Sequence, residues 1–368
     1  MNTASRFHEL VSGRWKGPLP AFLRAALRAL ELPYGYAIRI RNARFDQGIT
    51  RQHRVEAPVF SIGNLTVGGT GKTPFVAWLA DWLMAHGIAA TIISRGYGSK
   101  DNQPNDEALE LASRLPHVPH IQNPDRVAAA TAALQTNPHQ ALILDDGFQH
   151  RRLARDLDIV LIDALEPFGY GHLLPRGLLR EPVASLSRAH VVALSRSDAV
   201  SATRRSEIES RVRAVAPQAL WLELVHEPAG LFSASGHPTN SNELRGRRVA
   251  AFCGIGNPAG FRHTLQTLGI DVIDLRSLPD HCAYDQRDLA GIKRWLAALG
   301  PVDAVLCTHK DLVKIKQKEI GGLPLLALRV AAKIVRGQED FERVLAACLA
   351  VTSGRQTRPH GARGDTRR

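Results

Sequence analysis

The sequence predicts an α/β fold. Its parts are a doubly wound parallel sheet, a second and smaller α/β domain, and an amphipathic helix at the N-terminus. Three observations carry this reading. Short apolar runs alternate with helical stretches from residue 58 to 218, the pattern of repeated βα units. A Gly-rich stretch lies between one such run and the helix after it. A second series of βα units begins near residue 248. At roughly 150 residues per domain, 368 residues fit two domains. Hydrophobic residues at 44% and charged residues at 22% exclude a wholly disordered or fibrous chain.

The elements follow in order. The first 45 residues hold eight Lys or Arg against two Glu. Phe22, Leu23, Ala26, Leu27 and Leu30 share one helical arc, and Arg24, Arg28 and Glu31 the other. Pro20 lies near the start of this helix, and Pro33 is expected to end it. Arg39, Arg41 and Arg44 follow. Such a helix either lies in a membrane interface or packs its apolar side on its own domain. Strands are expected at 59–62, 89–94, 141–144, 159–162 and 191–194, with a helix over 74–86. Residues 219–247 alternate and are punctuated by Pro and Gly; they read as a linker with strand pairs. Beyond them come strands at 249–253, 271–275 and 304–307, with helices at 259–268 and 286–299. The chain thus divides into an N-terminal basic segment (1–45), a nucleotide-binding core (46–218), a linker (219–247), a second α/β domain (248–350) and a disordered basic tail (351–368).

The formal charge is +12, which favours anionic partners without choosing among nucleotides, nucleic acid and acidic membranes. Cys253, Cys282, Cys307 and Cys348 show no metal-ligand spacing and make no disulfide framework, which fits a reducing compartment. No secretory signal and no transmembrane helix are expected.

The stretch Thr66-Val67-Gly68-Gly69-Thr70-Gly71-Lys72-Thr73 fits a P-loop at Gly71, Lys72 and Thr73, with Thr66 where the pattern has its first Gly. The sheet is therefore of P-loop NTPase type. The glycines let successive N–H groups face one anion, and the helix N-terminus adds partial positive charge. Lys72 can reach the β- and γ-phosphates, and the Thr73 hydroxyl can ligate Mg²⁺. Asp145 and Asp146, ending an apolar run, supply the acidic half of such a site in the Walker B manner. One can hold magnesium while the other faces the acceptor.

Several strings then occur in order: Gly68-Gly69-Thr70-Gly71-Lys72-Thr73-Pro74, Ser94-Arg95-Gly96-Tyr97-Gly98 and Asp145-Asp146-Gly147-Phe148-Gln149-His150. They continue with Leu174-Pro175-Arg176-Gly177-Leu178-Leu179-Arg180-Glu181, Leu278-Pro279-Asp280-His281 and Thr308-His309-Lys310-Asp311. With these strings the chain resembles the tetraacyldisaccharide 4'-kinases, the lipid A 4'-kinase family, over about residues 20–345. The resemblance implies transfer of the ATP γ-phosphate to the 4'-hydroxyl of a tetraacyl disaccharide 1-phosphate, giving lipid IVA. It implies Mg²⁺ and peripheral association with the cytoplasmic face of the inner membrane of Gram-negative bacteria. It favours the membrane reading of the N-terminal helix.

The same resemblance implies site roles. Lys72 and Thr73 match the nucleotide loop, Asp145 and Asp146 the acidic pair near the metal, and Asp146 also the acceptor side. Glu181 matches a further acid at the Mg²⁺ site and Arg180 a cation beside the phosphates. Asp106 and His281 match a catalytic dyad, and Arg126 a residue at the substrate. The string around Asp106 reads Asn105-Asp106-Glu107-Ala108, where the family has Gly and Pro as flanks. If Asp106 and His281 sit in different domains, the site lies in a cleft whose closure can gate turnover.

Other classes remain. A membrane-associated P-loop ATPase switch uses a similar loop, but carries a signature Lys where this chain has Val67. Thr308-His309-Lys310-Asp311 is similar to a guanine-specificity string. Nucleic-acid binding finds no recognition motif, and the basic residues are scattered apart from the termini.

Overall fold

The structure, a computed structural model, describes residues 3–96, 105–234, 237–255, 258–279, 282–315 and 317–356. Its elements, in chain order, begin with α1 (Thr3–Val11), α2 (Pro18–Asp46), β1 (Val59–Asn64), α3 (Lys72–Ala85) and β2 (Ala89–Ser94). Next come α4 (Asp106–Arg114), β3 (His120–Gln122), α5 (Arg126–Thr136), β4 (Gln140–Asp145), β5 (Leu157–Asp163) and β6 (Val191–Ser195). The chain continues through α6 (Ala202–Arg213), β7 (Leu220–Ser233), β8 (Pro238–Thr239), β9 (Val249–Cys253), α7 (Pro258–Thr267) and β10 (Val272–Ser277). It closes with α8 (Gln286–Ala298), β11 (Ala304–Thr308), α9 (His309–Ile315), β12 (Glu319–Ile320), β13 (Leu323–Arg336) and α10 (Gln338–Gln356).

The strands form one sheet in the order β10-β9-β11-β13-β7-β6-β5-β1-β4-β2-β3. Every pairing from β6 to β3 is parallel, as helical crossovers require, and β1 and β4 are buried along their whole length. β10, β9, β11 and β13 form a second parallel set. The two sets meet at β7. Its first residues pair in parallel with β6, and Glu223 to Ser233 pair antiparallel with β13. The stretch expected as a linker therefore contains a 14-residue strand that makes one sheet of both halves.

Packing follows the sheet rather than the chain division expected from the sequence. Ala332, Ile334, Phe341 and Leu345 lie in the same buried cluster as Phe60, Phe75 and Leu79, so the end of the chain completes the first core. Phe341 stacks on Phe75 and Trp78 with ring centroids 6.0 and 5.7 Å away. The expected tail also starts later than 351: α10 is helical to Gln356, and residues 357–368 lie outside the described residues.

The N-terminal helix departs from expectation at Pro33. It runs through Pro33 to Asp46. Pro33 lacks one N–H, but contacts on both sides hold the helix. The Leu173 amide donates to Glu31 Oε1 (2.9 Å), and the Tyr34 hydroxyl donates to the Arg180 carbonyl (2.9 Å). Its inward positions are Pro20, Glu31 and Gly35, while Phe22, Leu30, Leu32, Tyr36 and Ile40 are exposed. The apolar arc faces away from the domain instead of packing on it.

Candidate active site

The P-loop is held at both edges. Asn64 ends β1, and its side chain donates to the Thr66 carbonyl (2.7 Å). The Val67 amide donates to the Leu178 carbonyl (2.8 Å), and the Arg180 amide donates to the Leu65 carbonyl (2.7 Å). The 174–181 segment thus borders the loop and delivers Arg180 to it. Gly71 precedes α3 with φ +83, a left-handed conformation that favours glycine. A Cβ there would lie 2.4 Å from His226 Nε2. Lys72 and Thr73 open α3, where free N–H groups and the helix dipole favour an anion.

The two carboxylates at the end of β4 have opposite surroundings. Asp145 is buried, and its Oδ1 has no hydrogen-bond partner among the described residues. Burial pushes its pKa up to about 6; Lys72 works against this, while Asp146 and Glu107 add to it. Asp146 turns left-handed, with φ +56. Arg180 Nη1 donates to both its oxygens (2.9 and 2.7 Å), and Lys72 Nζ lies 3.5 Å away. Burial opposes its charge, but Lys72 and Arg180 outweigh it and hold its pKa below the usual range. The rest of the Asp-Asp-Gly-Phe-Gln string is packing. Phe148 is fully buried against Gly63, where a Cβ would sit 2.5 Å from the Phe148 Cβ, and Gln149 donates to the Asn64 carbonyl (2.8 Å).

The other expected site residues spread further. Arg126 opens α5 and is buried; burial works against its charge, and Asp146 supports it. Asp106 opens α4, with the Asn105 side chain capping that helix by accepting from the Ala108 amide (3.0 Å). This cap is what the departure from the family flank provides. Glu181 is fully buried and turned from the loop. Arg41, Asn42 and Arg188 donate to its oxygens, the last two at 3.0 and 2.9 Å. In this arrangement it ties α2 to the nucleotide half. His281 lies outside the described residues, as do Asp280, Tyr97 and Gly98.

Two residues escaped the sequence reading. Lys314, on α9 of the second half, reaches Asp106 Oδ2 at 2.6 Å and donates to the Cys282 carbonyl (3.0 Å). It joins Asp106 to the segment that follows His281. Arg196 donates to the Gly69 carbonyl (2.7 Å) and pairs with Asp163. Neither lies in a string with recognisable spacing. The Thr308-His309-Lys310-Asp311 string closes a turn: the Thr308 hydroxyl donates to Asp311 Oδ2 (2.6 Å), as does the Gly254 amide (3.2 Å). Asp311 is fully buried, so this string does not present a carboxylate to a base.

Comparison with known proteins gives the family. A model of the family described as LpxK, tetraacyldisaccharide-1-P 4'-kinase, matches residues 23–350. The chain belongs to the tetraacyldisaccharide 4'-kinase family. The tetraacyldisaccharide 4'-kinase of Anaeromyxobacter dehalogenans strain 2CP-C is 40% identical over 349 residues, covering 90% of this chain and 92% of that one. That of Syntrophus aciditrophicus is 34% identical over 373 residues, covering 94% and 98%. The crystal structure of LpxK from Aquifex aeolicus in complex with ATP matches with a TM-score of 0.70 at 30% identity, covering 89% of this chain and 99% of that one. The family, the α/β fold class and the kinase assignment expected from the sequence are borne out.

Among the described residues, no three His, Cys, Asp or Glu side chains gather as a metal-binding group. A hard cation also takes hydroxyls, phosphate oxygens and water, so two protein ligands suffice beside a nucleotide. The orphaned Asp145 oxygen and the Thr73 hydroxyl at the start of α3 fit that role.

Proposed function

We propose that the chain transfers the γ-phosphate of ATP to the 4'-hydroxyl of a tetraacyl disaccharide 1-phosphate at a bilayer surface. The observation that carries it is the convergence of Lys72 and Arg180 on Asp146 beside the buried Asp145, at the mouth of the P-loop. Two cations and a helix N-terminus offset the charge that spreads over a phosphoryl group in flight. Thr73 and Asp145 would hold Mg²⁺, which would supply further neutralisation of phosphate charge.

Asp106 accepts the proton of the attacking hydroxyl, and His281 orients it or tunes its basicity. Arg126 and Asp146 border the acceptor side. Glu181 supports the metal site from behind, through Arg180 and α2. The division of the chain at 219–247 into nucleotide and acceptor parts belongs to this reading, with closure between them gating turnover.

The exposed apolar arc of α2, flanked by Arg24, Arg28, Arg39 and Arg44, suits the headgroup boundary of an anionic leaflet. No helix among the described residues is long and apolar enough to cross a membrane. The exposed arc supports a lipid substrate and a peripheral position at the cytoplasmic face of the inner membrane.

The test uses the full chain, Mg²⁺, γ-labelled ATP and the tetraacyl disaccharide 1-phosphate in micelles. Label is expected in the lipid, and Lys72→Ala should lower transfer by about a thousandfold or more. Phosphate release stimulated by bare liposomes, with no labelled lipid, would replace this reading by the ATPase switch.

A further inference from the structure

Asp106 is the first residue of α4, and the residue before it is clamped to the sheet. Asn105 caps the helix, its Oδ1 accepting from the Ala108 amide. Gln122, the last residue of β3, closes on the same residue with two bonds. Its Oε1 accepts from the Asn105 amide (3.3 Å), and its Nε2 donates to Asn105 Oδ1 (2.8 Å). One oxygen thus serves a donor in α4 and a donor in β3. Gln122 is placed in turn by β2. It stands opposite Ser94 in the parallel pairing of the two strands, and its Nε2 donates to Ser94 Oγ (3.4 Å). Ser94 Oγ lies 2.8 Å from His120 Nε2, and the Asn123 amide donates to the Ser94 carbonyl (3.0 Å). A row of side chains therefore runs from the sheet edge to the start of α4. The carboxylate delivered there is met from the other half of the sheet. Lys314 Nζ, on α9, lies 2.6 Å from Asp106 Oδ2 and is itself tied to the Cys282 carbonyl. Their meeting depends on where α4 starts.

We propose that Gln122 is the positioning residue for Asp106. It acts through Asn105: the paired bonds lock the N-cap against the sheet, and the cap aims the residue that follows. Helix ends fray where their first amides lack a fixed partner. Asn105 supplies that partner for α4, and Gln122 fixes Asn105. A base must stand within hydrogen-bond reach of the proton it takes, and a misplacement of about 1 Å costs about a hundredfold in rate. The sheet edge formed by β2 and β3 therefore sets the aim of a group that works at the acceptor, while the P-loop, on β1 and α3, holds the nucleotide by separate bonds.

The inference rests on the proposed role of Asp106 as the base, and its test separates the two. Transfer to the tetraacyl disaccharide 1-phosphate in micelles, and ATP binding by titration, are measured on the full chain. Gln122→Met keeps the length of the side chain and loses both bonds. It is expected to lower kcat about tenfold, with the lipid KM and ATP affinity within about twofold of the unaltered chain. In an Asp106→Asn chain the same change should lower kcat no further, because the residue it places no longer takes a proton. A merely structural role would lower kcat by the same factor in both backgrounds. Asn105→Gly is the second variant: glycine remains a fair cap but offers Gln122 no oxygen. It should reproduce the loss, and combined with Gln122→Met the loss should stay near about tenfold instead of multiplying. Unchanged kcat in Gln122→Met, or equal losses in the two Asp106 backgrounds, would overturn the proposal, while an impaired Asp106→Asn chain keeps the base. Full turnover in Asp106→Asn would overturn both.

Discussion

The two halves of the sheet share an architecture and place acids at the same kind of position, yet they use them differently. In the nucleotide half, Asp146 is gripped by Lys72 and Arg180, which come from other elements, and Asp145 keeps one oxygen unpartnered. In the second half, Asp311 takes its donors from Thr308, within its own turn, and from Gly254 beneath it. Burial raises its pKa too, but these bonds and the Tyr284 phenol work against that. The difference lies in the origin of the donors. An acid whose donors come from its own turn stabilises that turn, and Asp311 does so although its Oδ1, like Asp145 Oδ1, has no hydrogen-bond partner among the described residues. An acid held by cations from distant elements can pass its interactions to a substrate.

Substitutions sharpen the contrast, and after Lys72 the largest effect is expected at Asp106. Asp106→Asn should lower kcat about a hundredfold or more while ATP affinity, read by titration, stays put. Unchanged turnover would remove the base from the mechanism. Asp311→Ala should behave in the opposite way, with folding stability falling by about 2 kcal/mol in denaturant melts and ATP affinity unchanged. Lost ATP affinity without lost stability would erase the distinction between the halves.

Asp145→Asn should remove Mg²⁺-dependent activity and yet stabilise the metal-free protein at pH 7 by about 2 kcal/mol. The sign follows from its raised pKa: the folded state keeps a proton that the unfolded chain releases. That contribution to stability is full below the ordinary carboxylate value of 3.8 and is lost as pH rises through about 6. Melts in chelator across this window should show a decline in the wild-type chain that Asp145→Asn lacks. A decline of equal size in both would assign it to other carboxylates.

Much of the fold was legible because buried parallel strands leave continuous apolar runs. β2 and β9 occupy the expected residues, and α3 begins two positions early. The P-loop and the Asp145-Asp146 pair were legible because their chemistry demands neighbours in sequence. α2 was misread at Pro33 because the contacts that carry the helix past it come from Leu173 and Arg180. β7 was misread because its two halves pair with different strands in opposite senses, so no single alternation describes it. Lys314 and Arg196 each reach one partner more than 100 positions away, and periodicity holds no record of such pairs.

The stacking of Phe341 on Phe75 and Trp78 sets an order of events during synthesis. The helix that carries Lys72 leaves the ribosome early, but the ring that seals its outer face is made some 270 residues later. At roughly 5–20 residues per second, the nascent chain carries an uncovered aromatic surface for tens of seconds. During that time it is a client for holding chaperones, and a stop codon before α10 would leave that surface bare for the life of the protein.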